Sequence, residues 1–478
     1  MVSFFDPKIL NSLKLNSIGL ATKLLKPLYL ILFARLLGID AFGVYVLLVV
    51  IFELLSKITI AGTGGGIVHL LDDIPKSLHA YRTMLILLVS VGVFLWSLCL
   101  SIGLYFIFPY IFGQILDKPE LIEYAHVYLP FLALFSIQNV YLNSLRNTLD
   151  LKYELWVENL LVPFLILTLG LVLGRLYGLQ GVLASHLIAY GISAGILMYI
   201  VISQYGRLQW SRTVLGQVQW HKFVKDSLYH VGYRGLNLLK HHLDTLMVGY
   251  FLSTRSVAIY SVALEISSLI RKVRMGFESI LMPYIKKVNI DSKQYAAELK
   301  NIMLWMGLAS LALSVVLVFY ATFWFAVFGS DFTSQTDILF PLILSQFFFV
   351  ILGVLETAMY MYGRGDIAMI QNTLMLAING ILTFIGIKYY GLLGAACATC
   401  LASFIVGLIT VWKHFKLTGI QPYGRPLALA TCIIFLVMGI FHYNVFSLSS
   451  YAKAMCMIIC LAILYMFYRK NYFTNKHS

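Results

Sequence analysis

Charge is scarce in this chain. Of its 478 residues only 12% are Asp, Glu, Lys or Arg, and acids are scarcer than bases, 21 against 35. Soluble domains carry about twice that share of charge. With 60% hydrophobic residues and a mean hydropathy of +0.85, the apolar surface exceeds what a water-soluble core can hide. That excludes a soluble enzyme and leaves the bilayer as solvent. Cysteine is also sparse: Cys99, Cys397, Cys400, Cys432, Cys456 and Cys460 all fall inside apolar runs, which excludes a disulfide framework. Cys397-x-x-Cys400 has redox or zinc spacing, yet it sits in the small-residue run Gly394-Ala-Ala-Cys-Ala-Thr-Cys400, which suits close helix packing.

Catalytic patterns are missing as well. Gly62-Thr-Gly-Gly-Gly66 lacks the Gly-Lys-Ser/Thr ending of a phosphate loop and reads as a broken or closely packed helix end. No loop carries a Ser-His-Asp set, paired catalytic carboxylates or metal-ligand spacing, so no enzyme activity, catalytic residue, metal or bound cofactor is expected. Arg364-Gly365-Asp366 reads as a short turn. The apolar run after Asn16 has no small-residue cleavage site, so the first span is expected to stay in the mature protein. The basic residues form no aromatic-interleaved stripe, which argues against nucleic acid as a partner.

What the sequence does have is a series of apolar runs near the spanning length of about 20 residues. Segments 1 to 6 are read at Ser17 to Leu36, Phe42 to Gly62, Met84 to Phe108, Tyr124 to Leu145, Leu155 to Gly174 and Gly181 to Ser203. After a polar, basic stretch from Gln204 to Asp226 come segments 7 to 14: Leu228 to Leu252, Val257 to Met282, Ile302 to Phe328, Ile338 to Tyr362, Ile367 to Ile387, Leu392 to Trp412, Leu427 to Phe446 and Ala452 to Tyr468. The expected fold class is all-α, a polytopic membrane protein of about 14 transmembrane helices. With the N-terminus inside, about 21 Lys and Arg fall in cytoplasmic loops and tails against about 6 outside, so both termini are expected in the cytoplasm and the basic balance follows topology.

Two halves superpose on a shift of about 215 residues. Leu37-Gly-Ile-Asp-Ala-Phe-Gly-Val-Tyr45 lies against Leu252-Ser-Thr-Arg-Ser-Val-Ala-Ile-Tyr260, Tyr177-Gly-Leu-Gln-Gly181 against Tyr390-Gly-Leu-Leu-Gly394, Glu158-Asn159 against Gln371-Asn372, and Pro130 against Pro341. Residues 1–213 and 214–426 are thus expected to form two pseudo-symmetric six-helix lobes, with residues 427–478 outside the duplication. An even number of spans per copy gives both one orientation, with a cavity expected between them.

A charge within a span is costly and is therefore a default functional candidate. Asn16, Gly19, Lys23 and Lys26 share one face of segment 1, and Arg234, Asn237, His241 and Asp244 share one arc of segment 7, with Lys240 and His242 beside it. Segment 2 contributes Glu53 and Lys57 at i,i+4, and segment 8 contributes Glu265, Arg271 and Lys272. The net lining is basic and favours an anionic cargo, phosphate or pyrophosphate, held by charge-assisted hydrogen bonds. The candidate binding set is Lys23, Lys26, Arg234, Lys240, His241 and Arg271. The candidate gate or ion-coupling set is Glu53, Lys57, Asp244 and Glu265, with coupling to a proton or sodium gradient as the associated expectation. Arg271, Lys272 and Arg274 also fit interfacial anchors. Tyr29, Tyr45, Tyr233 and Tyr260 fit either sugar stacking or helix packing.

Phe33-Ala-Arg-Leu-Leu-Gly-Ile-Asp-Ala-Phe-Gly-Val-Tyr45 and Asp244-Thr-Leu-Met-Val-Gly-Tyr-Phe-Leu252, the latter leading into Val257-Ala-Ile-Tyr260, carry a resemblance that spans most of the chain. On them the protein resembles the Wzx-like polysaccharide flippases of the multidrug/oligosaccharidyl-lipid/polysaccharide exporter superfamily. The resemblance implies alternating access and translocation of an undecaprenyl-pyrophosphate-linked oligosaccharide across the bacterial inner membrane, for O-antigen, capsule or exopolysaccharide assembly. It implies a cavity lined by segments 1, 2, 7 and 8, with Lys23, Lys26, Arg234 and Arg271 near the pyrophosphate. Its implied partners are the lipid-linked oligosaccharide, membrane lipids, a polysaccharide polymerase and a chain-length regulator, and a monomer is the expected state. Competing readings are a multidrug or toxin exporter of the same superfamily, a flippase for the peptidoglycan precursor, and a membrane-embedded polysaccharide polymerase.

Overall fold

A backbone in hydrocarbon has no water to satisfy its N–H and C=O groups, and a continuous helix is the simplest way to pair them within one segment. The computed structural model describes residues 25–60, 63–72, 80–146, 153–285, 293–361, 364–420 and 425–442, and every regular element among them is helical. Segment 14 and residues 17–24 of segment 1, including Lys23, lie outside the described residues. Numbered among the described residues, the helices begin with α1 (Leu25–Leu37), α2 (Ile39–Thr59), α3 (Thr63–Asp72), α4 (Arg82–Tyr110), α5 (Glu120–Tyr128), α6 (Pro130–Arg146) and α7 (Val162–Tyr205). They continue with α8 (Arg212–Gln217), α9 (Trp220–Phe251), α10 (Thr254–Ile285), α11 (Lys293–Phe319), α12 (Ala321–Phe328), α13 (Leu339–Met361), α14 (Gly365–Thr418) and α15 (Arg425–His442). The fold is all-α and multi-spanning, as the apolar runs predict.

Among the described residues seven helical runs are long and apolar enough to cross a bilayer, and two of them are far too long to do so once. Glu154–Tyr205 has 52 residues and Met369–Thr418 has 50, whereas about 20 suffice for one crossing. Each run reverses at one glycine: Gly178 adopts φ 57°, ψ −135° and Gly391 φ 57°, ψ −131°. These are the glycines of the two Tyr-Gly-Leu-x-Gly motifs. The reversal is visible eight residues apart, where a straight helix would separate groups by about 12 Å. A Cβ on Gly181 would strike the carbonyl of Leu173, and one on Gly394 would strike that of Gly386. Segments 5 and 6, and 11 and 12, are therefore joined by glycine reversals rather than loops. The missing Cβ provides both the left-handed backbone and the close approach.

The chain divides into two compact units. The N-terminal unit comprises Ile18–His242 with Ser253–Ala258, and the C-terminal unit takes Leu243–Leu252 and Ile259–Ser478. In the N-terminal unit α1 packs on α7, and α6 packs against α4 and α7. Phe33, Phe42, Tyr45, Phe52, Phe108, Phe112 and Tyr128 fill its interior, with the rings of Phe52 and Tyr128 4.8 Å apart. The glycine run after Gly62 opens α3, and a Cβ on Gly66 would collide with Ser227 Oγ. That is the close packing its sequence suggests.

In the C-terminal unit α13 packs chiefly on α14 and also on α11. Arg274 joins α10 to α13: it donates to Glu278 Oε1 at 2.7 Å, to the Phe349 carbonyl at 2.9 Å and to Thr357 Oγ1 at 2.9 Å, with its guanidinium 4.7 Å from the Phe349 ring centre. It is only 7% exposed, so it is a buried tie rather than an interfacial anchor. Gly353 makes room for it, since a Cβ there would meet the guanidinium. Tyr29, Tyr45 and Tyr260 are also buried, which assigns them to packing. In the Cys397-x-x-Cys400 run, Ala395 and Ala396 are fully buried while Cys397 is exposed, so alanine rather than Cys397 makes the close contact.

Gly178→Ala and Gly391→Ala should each cost about 1–3 kcal/mol, the usual penalty for forcing a side chain into such a conformation. The two effects should add, because the sites lie in separate units. Thermal unfolding of the detergent-purified protein checks this, with Gly195→Ala as a control that should not lower Tm, because it lies inside α7 with nothing within 4 Å of its Cβ position.

Candidate functional site

The two longest single helices without a glycine reversal, α9 and α10, have 32 residues each but are absent from the runs apolar enough to qualify as spans. The reason is their polar content: α9 carries Arg234, Lys240, His241, His242 and Asp244, and α10 carries Glu265, Arg271, Lys272, Arg274 and Glu278. An ionisable residue in a helix of spanning length is costly and is a candidate for function unless, like Arg274 with Glu278, it is sealed by its neighbours.

In the N-terminal unit the polar residues gather around Glu53. Glu53 and Lys57 lie one turn apart on α2, whose other side is held in the interior by Phe52, Ser56 and Thr59. Glu53 Oε2 accepts an ion-pair contact from His242 Nε2 of α9 at 3.3 Å. Lys26 of α1 and Lys57 also act electrostatically on this carboxylate. The Lys57 ammonium lies 5.4 Å from the centre of the Phe135 ring. Three helices thus converge with three basic groups upon one acid: the i,i+4 neighbour Lys57 is one of them, and the direct contact is with His242. Lys26 is exposed, and Glu53 and Lys57 are partly so, leaving the cluster within reach of a ligand. Lys240 and His241 precede His242 on α9, Lys240 half-buried and His241 exposed. Arg234 belongs to α9, but its side chain, like all of Lys23, lies outside the described residues.

In the C-terminal unit the counterpart centres on Asp244, 4% exposed. Its Oδ2 accepts from Tyr260 Oη at 3.0 Å and from Thr399 Oγ1 at 3.3 Å, and its Oδ1 accepts from the Thr245 amide at 3.2 Å. Arg271, half-buried on α10, acts electrostatically on both Asp244 and Glu265, while Lys272 Nζ lies 4.0 Å from Glu265 Oε1. The described residues contain no group of three or more His, Cys, Asp or Glu placed to hold a metal ion.

The same positions in the N-terminal unit are occupied differently. Tyr45 and Tyr260 correspond under the repeat, as do His186 and Thr399, and Tyr29 and Asp244. His186, 4% exposed, bonds through Nε2 to Tyr45 Oη at 3.0 Å and through Nδ1 to Tyr128 Oη at 3.3 Å, with the Tyr29 ring edge-on to it. A neutral imidazole donates through one nitrogen and accepts through the other, so two hydroxyls satisfy it fully. Sequence reading missed His186, Thr399 and the role of His242. The repeat alignment held the signal for the first two, because extending the Tyr177–Tyr390 match along the following helix brings His186 onto Thr399. The Glu53–His242 contact joins residues far apart in sequence and left no local trace.

Residues 10–289, more than half of the chain, match the family model described as polysaccharide biosynthesis protein. Among curated relatives, the teichuronic acid biosynthesis protein TuaB of Bacillus subtilis (strain 168) is 23% identical over 223 residues, which is 46% of this chain and 45% of that protein. The match thus spans under half of the relative's length. Among solved structures, the lipid II flippase MurJ in its inward closed conformation has a TM-score of 0.77 at 16% identity, covering 97% of this chain and 99% of that one. A Vibrio cholerae MATE transporter in the bent form has a TM-score of 0.56 at 18% identity, covering 85% of this chain and 96% of that one. A superfamily transporter from Pyrococcus furiosus has a TM-score of 0.54 at 15% identity over 85% of this chain and 94% of its own. At such identities the structures speak for the fold alone, and the family assignment rests on the sequence match. The chain belongs to the polysaccharide biosynthesis protein family.

Proposed function

We propose that this protein is a flippase that carries an undecaprenyl-pyrophosphate-linked oligosaccharide across the inner membrane by alternating access, as a step of O-antigen, capsule or exopolysaccharide assembly. The observation that carries the reading is the cluster of Lys26, Lys57 and His242 about the single carboxylate Glu53. With two lysines against the single carboxylate of Glu53, the cluster presents a net positive surface to an entering ligand. A pyrophosphate supplies the complementary charge and several acceptor oxygens, while a cationic drug would be repelled. Lys23, Arg234, Lys240, His241 and Arg271 complete the proposed cationic lining. Membership of a polysaccharide biosynthesis family and the fold shared with a lipid II flippase support the same cargo class.

Asp244 is the proposed coupling group and Glu265 its neighbour through Arg271. The carboxylate takes up a proton or a sodium ion from one side of the membrane and releases it on the other, and each charge state favours a different arrangement of Arg271 and Tyr260. The Glu53–His242 pair is the proposed gate, since an anionic headgroup competes with Glu53 for the same bases. The protein works as a single chain and hands its cargo to a polysaccharide polymerase and a chain-length regulator. Both termini face the cytoplasm in this reading.

In cells lacking the protein, surface polysaccharide should disappear while lipid-linked units accumulate and remain inaccessible from outside. Unchanged surface polysaccharide would sink the reading and favour a drug exporter, which profiling of sensitivity to cationic drugs would then reveal.

Lys26→Ala with Lys57→Ala should lower export about tenfold or more, the loss expected for charge-assisted hydrogen bonds worth about 1.5–3 kcal/mol. Lys26→Arg with Lys57→Arg should retain most of it. Pulse-labelled precursor reaching the outer leaflet measures the effect, and membrane levels of the variants control for folding.

Asp244→Asn should leave binding of the lipid-linked precursor intact yet abolish the response of transport to an imposed ion gradient in proteoliposomes. A gradient response that survives the substitution would place coupling elsewhere.

A further inference from the structure

The connector between segments 6 and 7 has two dissimilar sides. On one, α8 and its flanks are seated on the N-terminal unit: Val214 is buried with Met84, Leu85 and Val201, while Leu215, Val218, Trp220 and Phe223 pack around the same cluster. Hydrogen bonds fix the seating. Thr83 Oγ1 donates to the Gly206 carbonyl at 2.8 Å, the Ser211 amide donates to Met84 Sδ at 3.4 Å, and Trp220 Nε1 donates to the Leu215 carbonyl at 3.1 Å. The chain here is held in one place and is not a loose tether.

The other side is uncovered, and its composition is unusual for a water-exposed turn. Leu208 is 56% exposed, Trp210 64% and Val224 51%, and among them stand exposed Arg207, Arg212 and Lys225. Residues 204–226 contain four Arg and Lys, and their one acid, Asp226, comes last. The position along the membrane normal follows from the spans to which the connector is tied. Gly206 comes just after the run Glu154–Tyr205 ends, and its bonding partner Thr83 stands at the start of Arg82–Ile115. The connector therefore lies at a span end, where hydrocarbon gives way to headgroups. Trp is the side chain best suited to that depth, because its ring is apolar and its N–H is polar. Arg side chains lay their stems along apolar surface and lift the guanidinium to phosphate level.

We propose that this face is a docking surface for anionic phospholipid headgroups, with Trp210 and Leu208 set into the interface and Arg207, Arg212 and Lys225 gripping headgroup phosphates. The charge pattern selects anionic over zwitterionic lipid, because within residues 204–226 four bases stand against one acid. The seated side explains why such binding matters: lipid held here fixes the chain entering α9, the helix that carries His242 and Asp244. The proposal is independent of the cargo.

Purified full-length protein in nanodiscs of phosphatidylcholine tests it, doped with brominated phosphatidylglycerol or with brominated phosphatidylcholine. The signal of Trp210 is isolated as the difference between the unaltered protein and Trp210→Phe. Quenching by the phosphatidylglycerol probe should reach half its maximum at a mole fraction about fivefold lower per arginine than with the phosphatidylcholine probe. Arg207→Gln with Arg212→Gln should remove that preference while both lipids still quench, with Tm unchanged because both side chains are exposed. Equal quenching by the two probes in the unaltered protein would overturn headgroup selection. No quenching by either would show that the face meets water or another protein, and would overturn the surface altogether.

Discussion

Everything in this structure follows from the cost of an unsatisfied polar group in hydrocarbon. The cost falls first on the backbone, and among the described residues it yields helices alone. It falls next on the breaks between helices. Where the chain must turn at a span end, it does so twice in one residue, at Gly178 and Gly391, and resumes hydrogen bonding at once. A longer loop would expose more carbonyls, and a non-glycine residue could not adopt the required φ. The same constraint explains Arg274, whose guanidinium can be buried only because a carboxylate, a carbonyl and a hydroxyl converge on it and Gly353 leaves the space.

Against that background, polar residues that are not sealed acquire meaning. Arg274 is fully partnered and buried. Lys26 is exposed, and Glu53, Lys57 and His242 are partly so, forming a cluster whose members hold one another while leaving donors within reach. A structural ion pair and a binding site differ in this respect: the first closes on itself, whereas the second keeps an excess of one sign.

The fold was highly legible in the sequence because its determinants are local and periodic. Apolar runs of spanning length, the basic connector and the two Tyr-Gly-Leu-x-Gly motifs all register within a few residues. The repeat supplied more than topology, since it placed the two reversal glycines in register before either backbone angle was known. The site was less legible. Helix-face geometry singled out Glu53, Lys57 and Asp244, which the structure places in polar contacts, but it set Glu53 beside its neighbour on α2 and did not show the contact with His242 on α9. It also grouped Arg274 with Arg271 by proximity in sequence, although one is a tie within the unit and the other faces Asp244 and Glu265. Helical periodicity defines which residues share a face, whereas pairing across helices depends on rotation and depth, and no single helix encodes these.

The duplication also shows how one scaffold came to hold two chemistries. Both units place a tyrosine hydroxyl against a side chain on the helix that follows the glycine reversal: Tyr45 on His186 in one, Tyr260 on Thr399 in the other. The third position decides the outcome. Where it is Tyr29, the cluster is aromatic and His186 is satisfied by neutral partners. Where it is Asp244, the cluster contains a charge with two hydroxyl donors aimed at one oxygen and a guanidinium acting from the next helix. A buried neutral network resists change of state, because each of its donors already has its acceptor. A buried carboxylate depends on its donors instead, because a charge away from water is costly without them. The repeat therefore does not imply identical interiors: one unit seals a histidine among tyrosines, and the other holds a carboxylate between two hydroxyls.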